Sequence, residues 1–169
     1  VRSAQALAFY LATSGSSRHP LIGFRIGRRT ISSTKHLHMV SDIAANLKEV
    51  RDKILRASDS DVRLVAVSKT KPKELLMECY QEGQRVFGEN YVQELVEKQG
   101  KLGGMINWHF IGHLQTNKVK QIAPFVHLIH AVDSLKLLME INKQAEKNER
   151  IIDVLLQFHI AQEETKFGL

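Results

Sequence analysis

A lysine that directly follows a short apolar run is the strongest candidate for chemistry in this sequence. Residues 64–67 are Leu-Val-Ala-Val, Ser68 and Lys69 follow, and Pro72 then prevents the strand from continuing. A Val-rich run of this kind, closed by turn residues, is typical of a buried parallel strand, and ligands bind at the C-terminal ends of such strands. A lysine there can pair with an acid such as Glu89, hold a phosphate, or form a Schiff base with an aldehyde once desolvation has removed its proton. The alternative is that the lysine simply begins a solvated loop.

Polar side chains also follow the other predicted strands at the same end. They are Ser68 and Lys69 after the first strand, Glu89, Asn90 and Tyr91 after the second, His113, Gln115, Thr116 and Asn117 after the third, Asp133 and Ser134 after the fourth, and His159 late in the fifth. An amine, amides, hydroxyls and imidazoles gathered at one edge favour a ligand site over ordinary loop chemistry.

Histidine spacing gives little support for a metal site. His109 and His113 are four residues apart on a predicted strand, where they share a face but lie far from each other, and no third ligand stands at a diagnostic spacing. We therefore expect no metal, a hydrogen-bonded core histidine at His109 and a packing role for Trp108. Cys79 lies in an apolar helical stretch and is interpreted as a small buried hydrophobe.

Strands and helices alternate along the chain and position these residues. The predicted strands are 64–68, 85–88, 108–112, 126–132 and 154–160. The predicted helices are one from Val40 capped by Ser41, 72–81 ended by Gly83, 90–98 closed by Gly100, 116–122 before Pro124, and 134–147. This alternation indicates a parallel sheet, either doubly wound or a (β/α)₈ barrel. No G-x-G-x-x-G or Walker loop is present, and a barrel needs eight strands, so the chain has strands for about five-eighths of one.

The basic charge is confined to residues 1–38. These carry six basic and no acidic side chains, whereas the rest of the chain carries 18 of each, so the formal net charge of +6 belongs to this leader. The Arg- and Ser-rich leader is interpreted as disordered. Three origins are open for it: a transit peptide, translated upstream sequence, or residues added by cloning before Met39. The neutral body argues against nucleic-acid binding, which would have to depend on the leader. One cysteine fits a reducing compartment, so we expect a cytoplasmic protein, or a mitochondrial or plastid one if the leader is a transit peptide. No stretch is apolar enough to cross a membrane.

Three long motifs occur in an order that resembles one protein family. They are Ala-Val-Ser-Lys-Thr-Lys-Pro at 66–72, Phe-Gly-Glu-Asn-Tyr-Val-Gln-Glu at 87–94, and Trp-His-Phe-Ile-Gly-His-Leu-Gln-Thr-Asn-Lys at 108–118. Asp133-Ser134 and Lys166-Phe167-Gly168-Leu169 continue the same order. Residues 39–169 therefore resemble the pyridoxal phosphate homeostasis protein family.

This resemblance implies a (β/α)₈ barrel of the alanine racemase N-terminal type, with only about the first five β/α units present. It implies that Lys69 forms a Schiff base with pyridoxal 5′-phosphate and that Asn90 and His109 contribute to cofactor binding. Family members buffer or deliver this cofactor without an established catalytic reaction. The resemblance therefore implies cofactor-dependent apo-enzymes as partners and no nucleic-acid or membrane partner. It also implies a monomer at full length. The Ser- and Gly-rich turns that hold the phosphate in the family lie in later strands, so we expect this chain to bind the cofactor weakly or not at all. The alternative is a racemase-type enzyme domain, which needs a second acid or base across the cofactor ring.

Overall fold

A computed structural model describes residues 8–13, 38–158 and 168–169. It divides the chain into two compact units, Val1–Arg85 and Val86–Leu169. His159, the end of the predicted fifth strand and the loop at 163–167 lie outside the described residues, as does most of the leader.

In the residues that the structure describes, the first unit contains two strands and two helices. In chain order these are β1 (Ala8–Thr13), α1 (His38–Ala57), β2 (Val62–Val67) and α2 (Lys73–Gln81). β1 pairs antiparallel with β2, so that Ala8 lies opposite Val67. The strand at Ala8–Thr13 differs from the disorder predicted for residues 1–38, and the interpretation of these residues as a separate leader stays a prediction.

β2 is the buried strand that the apolar run predicted. The side chains of residues 64–67 are all buried, and so is Ser68, which directly follows the strand. Pro72, with φ −68°, precedes the first residue of α2. Gly83 adopts φ +83° just after that helix, in the left-handed region that favours glycine, so its predicted role as a helix stop is confirmed.

The predicted cap of α1 is wrong. α1 begins at His38, so Ser41 lies inside the helix instead of preceding it. No proline or glycine separates His38 from Ser41, and the helical backbone therefore extends further toward the N-terminus than the apolar pattern indicated.

The second unit is a four-stranded parallel sheet with helices between the strands. Its elements are β3 (Val86–Glu89), α3 (Val92–Leu102), β4 (Asn107–Phe110), a 3₁₀ turn (Thr116–Lys118) leading into α4 (Val119–Ile122), β5 (Leu128–Val132), α5 (Leu135–Lys147) and β6 (Asp153–Leu156). β3 pairs with β4, β4 with β5, and β5 with β6, all in parallel. The predicted α/β class and the alternation of strand and helix are confirmed in this unit.

Aromatic side chains of neighbouring strands form much of the core of the second unit. Phe87 on β3 and Trp108 on β4 are aligned across the sheet and fully buried, with ring centroids 6.3 Å apart. The Trp108 indole Nε1–H donates to Gln99 Oε1 at 2.6 Å, which satisfies its one polar atom. The predicted packing role of Trp108 is confirmed.

The end of α3 differs from the prediction. The helix passes through Gly100 and ends at Leu102, and Gly103, with φ +65°, follows it. Gly100 is solvent-exposed and costs the helix only about 1 kcal/mol, while the buried Leu102 holds the last turn against the core. Burial therefore decides where this helix ends, and the first glycine does not.

Three strands are shorter than predicted and one helix is divided. β4 covers Asn107–Phe110 instead of 108–112, β5 begins at Leu128 instead of residue 126, and β6 covers Asp153–Leu156 instead of 154–160. The stretch before Pro124 is a 3₁₀ turn joined to a single turn of α-helix. None of the helices in the described ranges is long and apolar enough to cross a membrane.

Candidate functional site

Lys69 stands at the C-terminal end of β2 in a tight turn. Its side chain is half-buried, whereas Ser68 before it is fully buried. The Ser68 carbonyl oxygen accepts a hydrogen bond from the Lys71 N–H at 3.0 Å, which closes a four-residue turn over residues 68–71. Thr70 in this turn has φ +61°. The structure therefore places the predicted amine at a strand end, in a turn with an unusual backbone conformation.

Lys71 is the second amine of this turn. Its side chain is half-buried, and burial lowers the pKa of the Lys71 ammonium below its usual value. Desolvation of this kind makes a lysine more available as a neutral amine. Lys71 is part of the motif at 66–72, and its partial burial could not be predicted from that motif.

In the second unit, the segments that follow β3 and β4 are in close contact. The Ile111 N–H donates to the Glu89 carbonyl oxygen at 2.9 Å. A Cβ atom on Gly112 would lie 2.5 Å from the Asn90 carbonyl oxygen, so no side chain fits at this position. Asn90, which the resemblance assigns to the cofactor, is therefore held by the backbone of the next strand's loop.

His113 and Asp133 pair at the ends of β4 and β5. His113 Nδ1 lies 3.0 Å from Asp133 Oδ2, and the imidazole is about half exposed while the carboxylate is nearly buried. These two members of the predicted polar cluster are thus brought together. Ser134 has a different task, because its hydroxyl accepts from the Leu137 N–H and caps α5.

His109 is buried inside the sheet. Its Nδ1 lies 2.9 Å from Nε2 of His130 on β5, and the ring of His127 lies nearly parallel to it at 6.3 Å. Burial lowers the pKa of His130, which favours a neutral imidazole beside His109. The prediction of a hydrogen-bonded core histidine is confirmed, and a direct role of His109 toward a cofactor stays a prediction.

Sequence reasoning missed a buried ion-pair network at the end of β3. Lys98 Nζ lies 2.7 Å from Glu89 Oε1 and 2.7 Å from Glu94 Oε1, with both Lys98 and Glu89 buried. The spacing of Glu94 and Lys98 on α3 is that of a helical ion pair and was the available signal. Glu89, considered above as a partner for Lys69, is bound by this lysine of the same unit.

The one thiol of the chain lies in the core. The Cys79 side chain is buried, and burial raises the pKa of its thiol to about 11, so it behaves as the small hydrophobe that the sequence indicated. Within the part of the chain that the structure describes, no three His, Cys, Asp or Glu side chains are grouped to hold a metal ion.

The sequence that forms these elements matches the model of a known protein family. The family model for the alanine racemase N-terminal domain matches residues 39–163. The chain belongs to this family.

Within the family, the chain is similar to proteins named pyridoxal phosphate homeostasis protein. The Escherichia coli protein is 41% identical over 142 residues, covering 77% of this chain and 60% of the relative. The Homo sapiens protein is 45% identical over 116 residues, covering 63% of this chain and 42% of the relative. The resemblance inferred from the motifs is confirmed, and the chain spans between 42% and 60% of the lengths of these two relatives.

Two solved structures are similar to the fold of this chain. PipY of Synechococcus elongatus with pyridoxal phosphate bound superposes with a TM-score of 0.66 and 33% identity, over 75% of this chain and 58% of that one. An unknown protein from Bifidobacterium adolescentis superposes with a TM-score of 0.70 and 28% identity, over 83% of this chain and 62% of that one.

Proposed function

We propose that this chain is part of a pyridoxal phosphate homeostasis protein and binds pyridoxal 5′-phosphate through a Schiff base on Lys69. The observation that carries the proposal is the half-buried lysine in the turn that ends the buried strand β2. Support comes from relatives that carry the homeostasis name and from the PipY structure that contains the cofactor.

The residues present fit the aldehyde end of the cofactor. Lys69 supplies a primary amine directly after the fully buried Ser68 at the end of β2, and a primary amine is the group that forms a Schiff base with an aldehyde. We propose, from the resemblance, that Asn90 and His109 contribute to cofactor binding. The Asn90 backbone lies close against Gly112, and the fully buried His109 has its Nδ1 2.9 Å from His130 Nε2. When bound, the cofactor supplies an electrophilic carbonyl, and the protein supplies the amine and its orientation.

We propose that residues 39–169 alone bind the cofactor weakly. Phosphate groups are held by backbone N–H donors at turns and helix N-termini, and the resemblance assigns that task to strands beyond those described. We propose that the whole protein is a (β/α)₈ barrel that supplies this anchor. We further propose that it acts in the cytoplasm as a monomer, and that it buffers or delivers the cofactor to apo-enzymes without turning over a substrate.

Absorbance titration followed by borohydride reduction and peptide mass spectrometry tests the covalent assignment. We expect an increase in visible absorbance on adding the cofactor, and a reduced pyridoxyl group on Lys69. Lys69→Ala should abolish both signals. Lys73→Ala, which removes the exposed first lysine of α2, should leave them unchanged.

Two results would contradict the proposal. A label of equal yield on Lys73 and other exposed lysines would show non-specific modification of surface amines. Racemisation of alanine by the cofactor-loaded protein, abolished by Lys69→Ala, would instead assign the chain to the racemase-type enzymes.

A further inference from the structure

Thr70 holds a backbone conformation that its side chain disfavours. Its φ of +61° lies in the left-handed region, and within the described ranges only Glu149, with φ +53°, shares this property among residues other than glycine. A branched Cβ makes this conformation especially costly, so a threonine there is a genuine outlier. Outliers of this kind persist only where the surrounding structure imposes them, and they concentrate at functional sites.

The residues on both sides of Thr70 impose its conformation. Ser68 is fully buried at the end of β2, and its carbonyl oxygen accepts the Lys71 N–H at 3.0 Å. Lys71 precedes Pro72, and a residue before proline is restricted to extended conformations. Because both ends of the turn are fixed, the chain between them closes through a left-handed residue at position 70, as the third residue of a type II turn does.

We propose that the left-handed backbone of Thr70 is a positioning device that fixes the direction in which the Lys69 amine leaves β2. This inference rests on the proposed function, since it gives Lys69 the task of reacting with an aldehyde. Thr70 acts through its neighbour and is a positioning residue. A turn with one permitted geometry holds the amine ready, whereas a more permissive turn would have to order it during each binding event.

Three substitutions at Thr70 separate backbone geometry from other effects. Thr70→Gly removes the steric cost but lets the turn sample many conformations. Thr70→Asn tolerates the left-handed region better than threonine while remaining more restricted than glycine. Thr70→Val keeps the branched Cβ and removes the hydroxyl. Glu149→Gly is the matched control, because it relaxes the other left-handed residue, just beyond the end of α5 in the other unit.

Affinity for pyridoxal 5′-phosphate, measured by the visible absorbance titration, is the first readout. We expect Thr70→Gly to weaken binding about three- to tenfold without lowering the thermal unfolding midpoint. Thr70→Asn and Thr70→Val should bind within about twofold of the unsubstituted chain, and Glu149→Gly should not change binding. Unchanged affinity in Thr70→Gly overturns the inference, and so does a loss of affinity in Thr70→Val, which would assign the effect to the hydroxyl. A loss of affinity in Thr70→Gly that accompanies a lowered unfolding midpoint would show a merely structural role.

Reactivity of the lysine provides a second readout that does not depend on cofactor binding. Reductive methylation with formaldehyde, followed by mass spectrometry, gives the rate at Lys69 relative to the exposed Lys73. Because Lys69 is half-buried and Lys73 is exposed, we expect this ratio to lie below one in the unsubstituted chain. It should rise toward one in Thr70→Gly and stay unchanged in Thr70→Asn. If the unsubstituted chain fails to bind the cofactor, the proposed function fails. The methylation ratio then decides the turn inference alone, and a ratio unaffected by Thr70→Gly rejects it.

Discussion

Lys98→Met tests the buried ion-pair network of the second unit. Methionine keeps an unbranched side chain of similar length but removes the ammonium that lies 2.7 Å from the buried Glu89 carboxylate. Removing one partner of a buried pair leaves a charge in a low-dielectric interior and costs about 3–5 kcal/mol. The second pair, with the more exposed Glu94, adds at most about 1 kcal/mol. We therefore expect a loss of about 3–5 kcal/mol in the free energy of unfolding.

Urea unfolding followed by circular dichroism measures this loss. Lys101→Met is the matched control, because Lys101 pairs with Glu97 on the exposed side of the same helix, and we expect a loss below about 1 kcal/mol. The double variant Lys98→Met/Glu89→Gln should be more stable than Lys98→Met alone, since the isolated charge is then gone. The reasoning is refuted if Lys98→Met costs no more than Lys101→Met at an unchanged m-value.

Two further predictions concern histidine titration and glycine packing. Burial lowers the pKa of His130 below its ordinary value of 6.5, so the folded chain binds fewer protons than the unfolded chain in mild acid. The free energy of unfolding should then fall as the pH drops from about 7 through the folded pKa, and less steeply in His130→Gln, as thermal melts across this range would show. Gly112→Ala should lower the free energy of unfolding by about 1–3 kcal/mol, because the added Cβ meets the Asn90 carbonyl oxygen. Gly100→Ala, on the open face of α3, should raise the free energy of unfolding by about 0.5–1 kcal/mol. Urea unfolding of both variants measures these changes, and equal effects of the two substitutions would contradict the prediction.

The local sequence pattern was sufficient to predict elements that consist almost entirely of apolar residues. Residues 64–67 contain no polar side chain, which is typical of a strand buried on both faces, and they form the buried part of β2. Trp108 and His109, predicted as packing and core residues, are also fully buried. The end of α3 was mispredicted because Gly100 and Gly103 look alike in sequence, and only the burial of Leu102 distinguishes them.

Other features depend on contacts between distant segments. From sequence alone, Lys98 resembles an ordinary surface lysine. Its burial becomes evident only when the packing of α3 against β3 brings it next to Glu89, nine residues earlier in the chain. The left-handed Thr70 contradicts the preference of its own side chain, so no propensity could have predicted it. The close approach of Gly112 to Asn90 likewise requires two neighbouring strands to be in register.

Cys79 has a practical consequence for spectroscopy. It is the only cysteine of the 169 residues, and its buried thiol, with a pKa of about 11, is protonated and shielded at neutral pH. A new cysteine at an exposed position such as Ala57 would therefore be the one site that a maleimide dye attacks in the folded protein. Fluorescent reporters can thus be attached one at a time without first removing the native thiol.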